Sequence, residues 1–383
     1  MMESGSRFTR IQLENWRNFA RVDVPLQQRV FLVGPNASGK SNFLDALRFL
    51  RDLVSVGGGF QEAVRKRRGV SSIRCYAARR YPEVKLTVHA GTEDKLNAWS
   101  YELGFSQDNN QRPVIARERV TEDGVVILDR PEKSDEDDPE RLRQTHLEQL
   151  FANAKFRELA DFFRSLRYYH IVPHLVRDPD RSLGKSDDPF GGDFLEQIAR
   201  TTEKTRNSRL RRVERALRMA VPQLKELKLW KDPRGVPHLR AKYVHWRSEG
   251  AWQTEDQFSD GTLRLMGLLW AMLSGSGPLL LEEPELSLHP AVVKHIPQML
   301  TRLQRRYRSQ TFISTHSADL LNDPGIGVDE ILLLSPEKEG TVVTVASEIQ
   351  EIHSLLGDNM RLADVVLPRT RPRDADQLAL FEG

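Results

Sequence analysis

The sequence has a single cysteine, Cys75, among 383 residues. This excludes a framework of intrachain disulfides and suits a reducing compartment. No apolar run approaches the ~18 residues of a membrane-spanning helix, and the start, MMESGSRFTR, lacks the apolar stretch of a secretory signal. The expectation is a soluble, cytoplasmic protein with no membrane partner. Sustained heptads are missing, which argues against a long coiled coil, and no internal repeat is visible. There is no helix-turn-helix or zinc-finger pattern, so sequence-specific reading of DNA is not indicated. Charge of one sign is missing too. Lys and Arg number 57 against 54 Asp and Glu, for a net charge of +3 and a pI near 8.9. That balance permits nucleic-acid contact without requiring it.

What is present is 39% apolar and 29% charged, enough for a sizeable core in one large or two modest domains. FTRIQLEN and RVFLV read as strands, and SNFLDALRFLRDLV has its apolar residues at helical spacing. VKLTVHA, WSYELGF, VIARERV and VVILD predict an antiparallel sheet region. PEKSDEDDPE follows, with six acids and one lysine, and reads as a solvated loop between lobes, since nothing spaces its carboxylates for a metal. From about 140 to 275 the pattern predicts mostly helix, broken by RDPDRSLGKSDDPFGGD and by a hairpin around Lys231–Gly235. PLLLEEPE and QTFISTHS read as buried parallel strands. Beyond about 345 periodicity fades into a tail. The division expected is 1–135 and 276–345 as two parts of a core lobe, 136–275 as a helical lobe, and 346–383 as an extension.

GPNASGKS, Gly34 to Ser41, fits the phosphate-loop pattern G-x-x-x-x-G-K-[ST], with a strand before it and a helix after it. Backbone N–H groups of Gly34, Asn36, Ala37, Ser38 and Gly39 can wrap phosphates, aided by the positive end of the helix dipole. Lys40 can reach the β- and γ-phosphates of ATP, and Ser41 can ligate Mg²⁺. The strand ending in Glu282-Glu283 delivers two carboxylates to the sheet edge where ligands of α/β folds bind. Glu282 is expected to hold the Mg²⁺ shell and Glu283 to activate the attacking water. His316, directly after another buried strand, can hydrogen-bond the γ-phosphate and sense its loss. EDQFSDGTLRLMGLLW, residues 255–270, places Ser259-Asp260-Gly261-Thr262 ahead of an apolar helix. Ser259 and Gly261 there either cap the helix or hold an anion foreign to the chain.

GPNASGKS, QFSDGTLRL, LLLEEPELSLHP and STHS, in this order, resemble an ATP-binding-cassette (ABC) ATPase. They are most similar to the branch that includes RecF, SMC-type heads and the overcoming-lysogenization-defect (OLD) ATPases. The resemblance spans roughly residues 7 to 345. It implies an α/β fold, a P-loop NTPase of ABC-head type, with a mixed-sheet core lobe, an antiparallel β region and a mainly helical second lobe. It further implies Mg²⁺-dependent ATP hydrolysis by heads that pair head-to-tail as an ATP-dependent homodimer. Ser259 and Gly261 would then close over the γ-phosphate held by the other subunit. FTRIQLENWRNF resembles the opening strand of such heads, which makes Arg17 a candidate phosphate contact. Gln149, in the predicted helix THLEQLFAN, is the candidate for the glutamine that couples nucleotide to the helical lobe. The signature reads SDGT rather than the transporter SGGQ, and Glu282 stands where many relatives have aspartate. About 220 residues separate phosphate loop and signature, which disfavours a transporter motor. The stretch after residue 345 is too short for the Toprim nuclease of many OLD-type ATPases, so any nuclease would be expected to act in trans.

Two segments are strongly basic. Residues 64–80 hold seven basic residues and no acid, and residues 198–218 hold eight against two. They read either as solvated faces or as a surface for double-stranded DNA. At the end of the chain, Gln377–Phe381 (QLALF) resembles the peptide by which replication and repair proteins dock on the sliding clamp. The expected role is action on or near DNA, in repair or in defence against foreign DNA. The alternative is an ATP-gated regulator of a separate effector.

Overall fold

The computed structural model describes residues 2, 5–77, 82–178, 180, 188, 190–244, 251–357 and 360–371. Gln377–Phe381, Arg79 and Arg80 lie outside the described residues, as does most of 179–189.

Two six-stranded sheets enclose the first core. The antiparallel sheet runs in the order β2 (Phe19–Pro25), β1 (Arg7–Trp16), β4 (Val84–Gly91), β5 (Trp99–Gln107), β6 (Pro113–Glu122), β7 (Val125–Arg130). The mixed sheet runs β15 (Gly340–Val345), β14 (Ile331–Glu337), β3 (Arg29–Val33), β13 (Thr311–Thr315), β12 (Leu279–Glu282), β8 (Arg167–Tyr169). All its pairs are parallel except β14–β15. The short apolar runs RVFLV and LLLE are what parallel strands covered on both faces require. Val30 and Leu32 face one core, while Phe31 and Val33 face the other.

Between the sheets lies the helix Lys40–Val54, whose Phe43, Leu47, Phe49 and Leu50 are fully buried. Phe49 stacks on Phe105 at 5.7 Å and meets Trp16 edge-on at 5.3 Å, arrangements that ring quadrupoles favour. This packing fixes where the helix begins, and so where its N–H groups point.

A third core underlies the second lobe. There the helices Glu203–Ala220 and Asp260–Leu273 pack with β9 (Leu224–Lys231), β10 (Pro237–Tyr243) and β11 (Ala251–Thr254). The 140–275 stretch is therefore less helical than expected. PHLRAKY alternates with period two, LKELKLWK does so from Leu227 onward, and the predicted turn at Lys231–Gly235 joins them, with Asp232 N–H donating to the Val236 carbonyl at 3.0 Å. Within 136–275, moreover, β8 joins the mixed sheet, and Leu159, Phe162 and Phe163 join the first core.

The acidic stretch 131–140 is mostly exposed, as expected, but it is not a loop throughout and one of its acids is buried. Lys133–Asp137 is a short helix with a capping box, and Asp135 is 1% exposed. Both Asp135 oxygens accept from the buried Arg130, at 2.8 and 3.0 Å, and Arg130 also bonds Glu118 at 2.9 Å. Glu132, Asp135 and His146 bring ligand atoms within 4.8 Å of one another. The guanidiniums of Arg130 and Arg141 already occupy Asp135, however, so the cluster is an ion-pair node. Among the described residues no helix is long and apolar enough to cross a membrane.

Candidate nucleotide site

The helix Lys40–Val54 starts without a side-chain cap and without an acid in its first turn. Its first N–H groups, and the positive end of its dipole, are left for an anion. The loop before it is tightly determined. Gly39 has φ 97°, and a Cβ there would lie 2.2 Å from Asn18 Nδ2, while a Cβ at Gly34 would lie 2.6 Å from the Leu334 carbonyl. Asn18 braces this loop. Its Nδ2 donates to the Ser38 carbonyl at 2.8 Å and to Thr341 Oγ1 at 2.7 Å, and its Oδ1 accepts from Asn42 Nδ2 at 2.8 Å. Ser38 Oγ is buried with no partner among the described residues.

Lys40 Nζ donates to the Gly34 and Pro35 carbonyls at 3.0 and 3.1 Å, bonds that phosphate oxygens can replace. Burial lowers its ammonium pKa against the opposing pull of Glu283, Glu282 and Glu285. His316 Nε2 lies 2.6 Å from Lys40 Nζ and 3.4 Å from Glu283 Oε1. It stands between a donor and an acceptor, and its proton state decides which it binds. The His316 hydrogen bond holds the Glu283 carboxyl below the usual glutamate range, outweighing burial. Glu283 has φ 41°, and its N–H donates to the Ser314 carbonyl at 3.1 Å, which pins this residue in a rarely adopted backbone state.

Ser41 Oγ donates to Glu282 Oε1, and the Tyr168 hydroxyl donates to Glu282 Oε2. A hydroxyl and a carboxylate converging at the phosphate end form the oxygen donor set that Mg²⁺ prefers. Glu285, the third acid of EEPE, accepts from Thr315 Oγ1 at 2.5 Å and from the His316 N–H at 3.1 Å. It ties His316 to the carboxylate strand, and burial raises its pKa.

Thus Lys40, Ser41, Glu282, Glu283 and His316, far apart in sequence, meet at the ends of β3, β12 and β13. Asn18, Tyr168 and Glu285 were not foreseen. Only Glu285 had a signal, since it extends the acidic pair by one more carboxylate.

The signature lies elsewhere. Ser259 Oγ caps the helix Asp260–Leu273, accepting from Thr262 N–H at 3.2 Å, and lies 2.8 Å from Thr262 Oγ1. Asp260 accepts from Arg177 at 2.6 Å. A Cβ at Gly261 would lie 2.5 Å from the Ser287 carbonyl, so glycine permits the close approach of the chain that follows Glu283. Ser259 and Asp260 are exposed, and none of Ser259's hydrogen bonds among the described residues reaches Gly34–Ser41.

Other candidates are placed differently. Arg17 Nη1 donates to the Ser72 carbonyl at 2.8 Å, and its Nη2 lies 3.6 Å from Asp45, one turn beyond Ser41. Gln149 lies in a turn rather than the predicted helix, with its amide 3.4 Å from Gln144 Oε1. Local bonds between Thr145 and Glu148 compete with helical pairing there. Of the basic segment 64–80, Arg67 is 3% exposed and bonds Asp45 and Asp52 at 2.8 and 2.9 Å, so it belongs to the core. In the segment 198–218, Lys204, Arg211, Arg215 and Arg218 are exposed on one helix.

A family model described as "AAA domain, putative AbiEii toxin, Type IV TA system" matches residues 29–322. A 57-residue segment is 46% identical to Endonuclease GajA of Bacillus cereus (strain VD045), covering 15% of this chain and 10% of that protein. The chain thus matches about a tenth of the length of this curated relative. Among solved structures, an Smc head bound to the C-winged helix domain of ScpA aligns with a TM-score of 0.52 at 15% identity, covering 88% of this chain and 96% of that one. An Smc head with an extended coiled coil, bound to the C-terminal domain of ScpA and derived from Pyrococcus furiosus, gives 0.52 at 12%, covering 92% and 100%. The Smc head with a coiled coil and joint from Pyrococcus yayanosii gives 0.51 at 11%, covering 91% and 100%. At these identities the likeness is one of fold. The model match, by contrast, runs from β3 past β13 and encloses every candidate nucleotide motif from Gly34 to His316, so this chain belongs to that AAA family.

Proposed function

We propose that this chain is a Mg²⁺-dependent ATPase head that pairs on ATP and acts on or near DNA, in repair or in defence against foreign DNA. One observation carries the reading: Lys40, the Ser41–Glu282 pair and the Glu283–His316 pair converge at an uncapped helix N-terminus. Lys40 and the loop N–H groups hold the β- and γ-phosphates. Ser41 and Glu282 would hold Mg²⁺, which supplies charge neutralisation when bound. Glu283 takes the proton of the attacking water as its oxygen bonds the γ-phosphorus and the bond to the leaving ADP oxygen breaks. His316, within reach of both Lys40 and Glu283, registers whether the γ-phosphate is present.

Ser259 and Gly261 complete the site of a second copy. The exposure of Ser259, and the local character of its bonds, support this use in trans. Arg17 and Gln149 serve only if nucleotide draws them from their present partners. Gln377–Phe381 remains a proposed clamp-docking peptide. ATP-gated restraint of a separate effector is favoured by one observation: the matched relative is named an endonuclease.

The test is steady-state ATP turnover with and without linear duplex DNA, at low and moderate salt, with Glu283→Gln as the blank. Stimulation that fades with salt is expected. Turnover indifferent to DNA would remove DNA from the proposal and leave the effector.

A further inference from the structure

The sheet β9–β10–β11 buries one face only. Leu227, Leu239 and Ala241 point into the third core, against Leu210, Val213 and Leu217 of the helix beneath. The opposite face is set by the pairings Trp230 with His238, Lys228 with Arg240, and Lys242 with both Glu226 and Trp252. Arg240 sits between the two tryptophans. Its Cζ lies 5.2 Å from the ring centre of Trp230 and 5.3 Å from that of Trp252. Lys228 Nζ lies 4.0 Å and Lys242 Nζ 6.0 Å from the Trp252 ring. Trp230 remains 38% exposed, and neither ring belongs to the third core. Glu226 is the one carboxylate in the three strands, 3.6 Å from Lys228.

A lysine or arginine over a ring contributes about 0.5–1 kcal/mol at an exposed site, too little to explain two tryptophans on a solvated face. Flat rings alternating with cations suit one chemistry in particular. Unpaired bases stack on the rings while phosphates meet the ammonium and guanidinium groups. Duplex DNA keeps its base faces stacked inside and gains nothing from the rings. An acidic protein segment would use the cations and leave the ring faces idle.

We propose that this face binds single-stranded nucleic acid, a site that rests on the DNA-associated reading above and specifies the structure it engages. The test is fluorescence anisotropy of labelled oligo(dT) titrated with the full chain, beside a hairpin duplex and polyglutamate. Oligo(dT) should bind more tightly than the duplex and quench tryptophan fluorescence. Trp252→Ala should weaken oligo(dT) roughly tenfold, from about 1–3 kcal/mol per stacked base, with thermal midpoint and basal ATP turnover unchanged. Trp252→Phe should restore most of the affinity, and Arg240→Gln should flatten the salt dependence.

Wild-type affinity in the Trp230→Ala/Trp252→Ala double variant would overturn the proposal. So would duplex binding as tight as oligo(dT), or polyglutamate binding with the same dependence on Trp252, which would assign the face to an acidic protein. Duplex-stimulated turnover without oligo(dT) binding would remove this site and leave the DNA reading standing. Oligo(dT) binding that depends on Trp252, with turnover indifferent to DNA, would do the reverse.

Discussion

Around the phosphate loop, Lys40 and Glu283 both meet His316 and Ser41 bonds Glu282, whereas the Oγ of the exposed Ser259, among the described residues, bonds within its own helix turn, to Thr262. The first region is held from behind by Asn18, Tyr168 and Glu285. The second has its cap and a close backbone approach at Gly261. The contrast separates groups that already bond one another around the loop from a serine left to its own helix cap, which is what the proposed use in trans requires. Preorganised groups around Lys40 need little rearrangement to meet ATP.

The largest effect should come from the groups around the loop. Glu283→Gln should lower turnover by at least ~100-fold while retaining ATP binding and accumulating a dimer, read by phosphate release, nucleotide titration and sedimentation. Unchanged turnover would remove Glu283 from catalysis. The comparison itself is tested by mixing. Lys40→Ala and Ser259→Arg should each be inactive alone, yet recover turnover when combined, because one composite site then joins two intact halves. No recovery would place Ser259 outside the site in trans.

Two smaller effects sharpen the signature side. Gly261→Ala should cost about 1–3 kcal/mol in denaturant unfolding, since the added Cβ meets the Ser287 carbonyl. Ser259→Ala should cost about 1 kcal/mol as a lost cap. If Ser259 is only a cap, turnover will survive that change; if it closes over a partner's ATP, turnover will fall by more than the stability loss explains. The smallest effect is a pH shift. Because His316 holds the Glu283 carboxyl below its usual range, turnover should stay flat as pH falls toward that range. His316→Ala leaves burial to act and should move the acid limb of kcat/KM upward.

Much of this was legible from residues alone. GPNASGKS announces a strand, a phosphate loop and a helix because glycines and lysine at that spacing serve local geometry. The apolar runs of β3, β12 and β13 announce a parallel sheet covered on both faces. β9 and β10 fall within a stretch that reads as helical because their polar face dilutes the apolar signal, and only pairing makes period two decisive. Asp135 read as solvated because its partner, Arg130, can be recognised only once both are buried. Asn18 and Tyr168 gave no signal, since their work depends on contacts with Ser38 and Glu282 made by folding.

The sequence by itself determined the phosphate-binding chemistry, the order of the motifs and the strands that deliver them, because backbone conformation and hydrophobic pattern are local properties. Tertiary structure decided which charges are structural and which are open to solvent. It made Arg67 a core residue, set Trp230 and Trp252 about one guanidinium, and turned the signature serine outward. Burial and long-range pairing settle a side chain's partners, and neither exists until the sheets close.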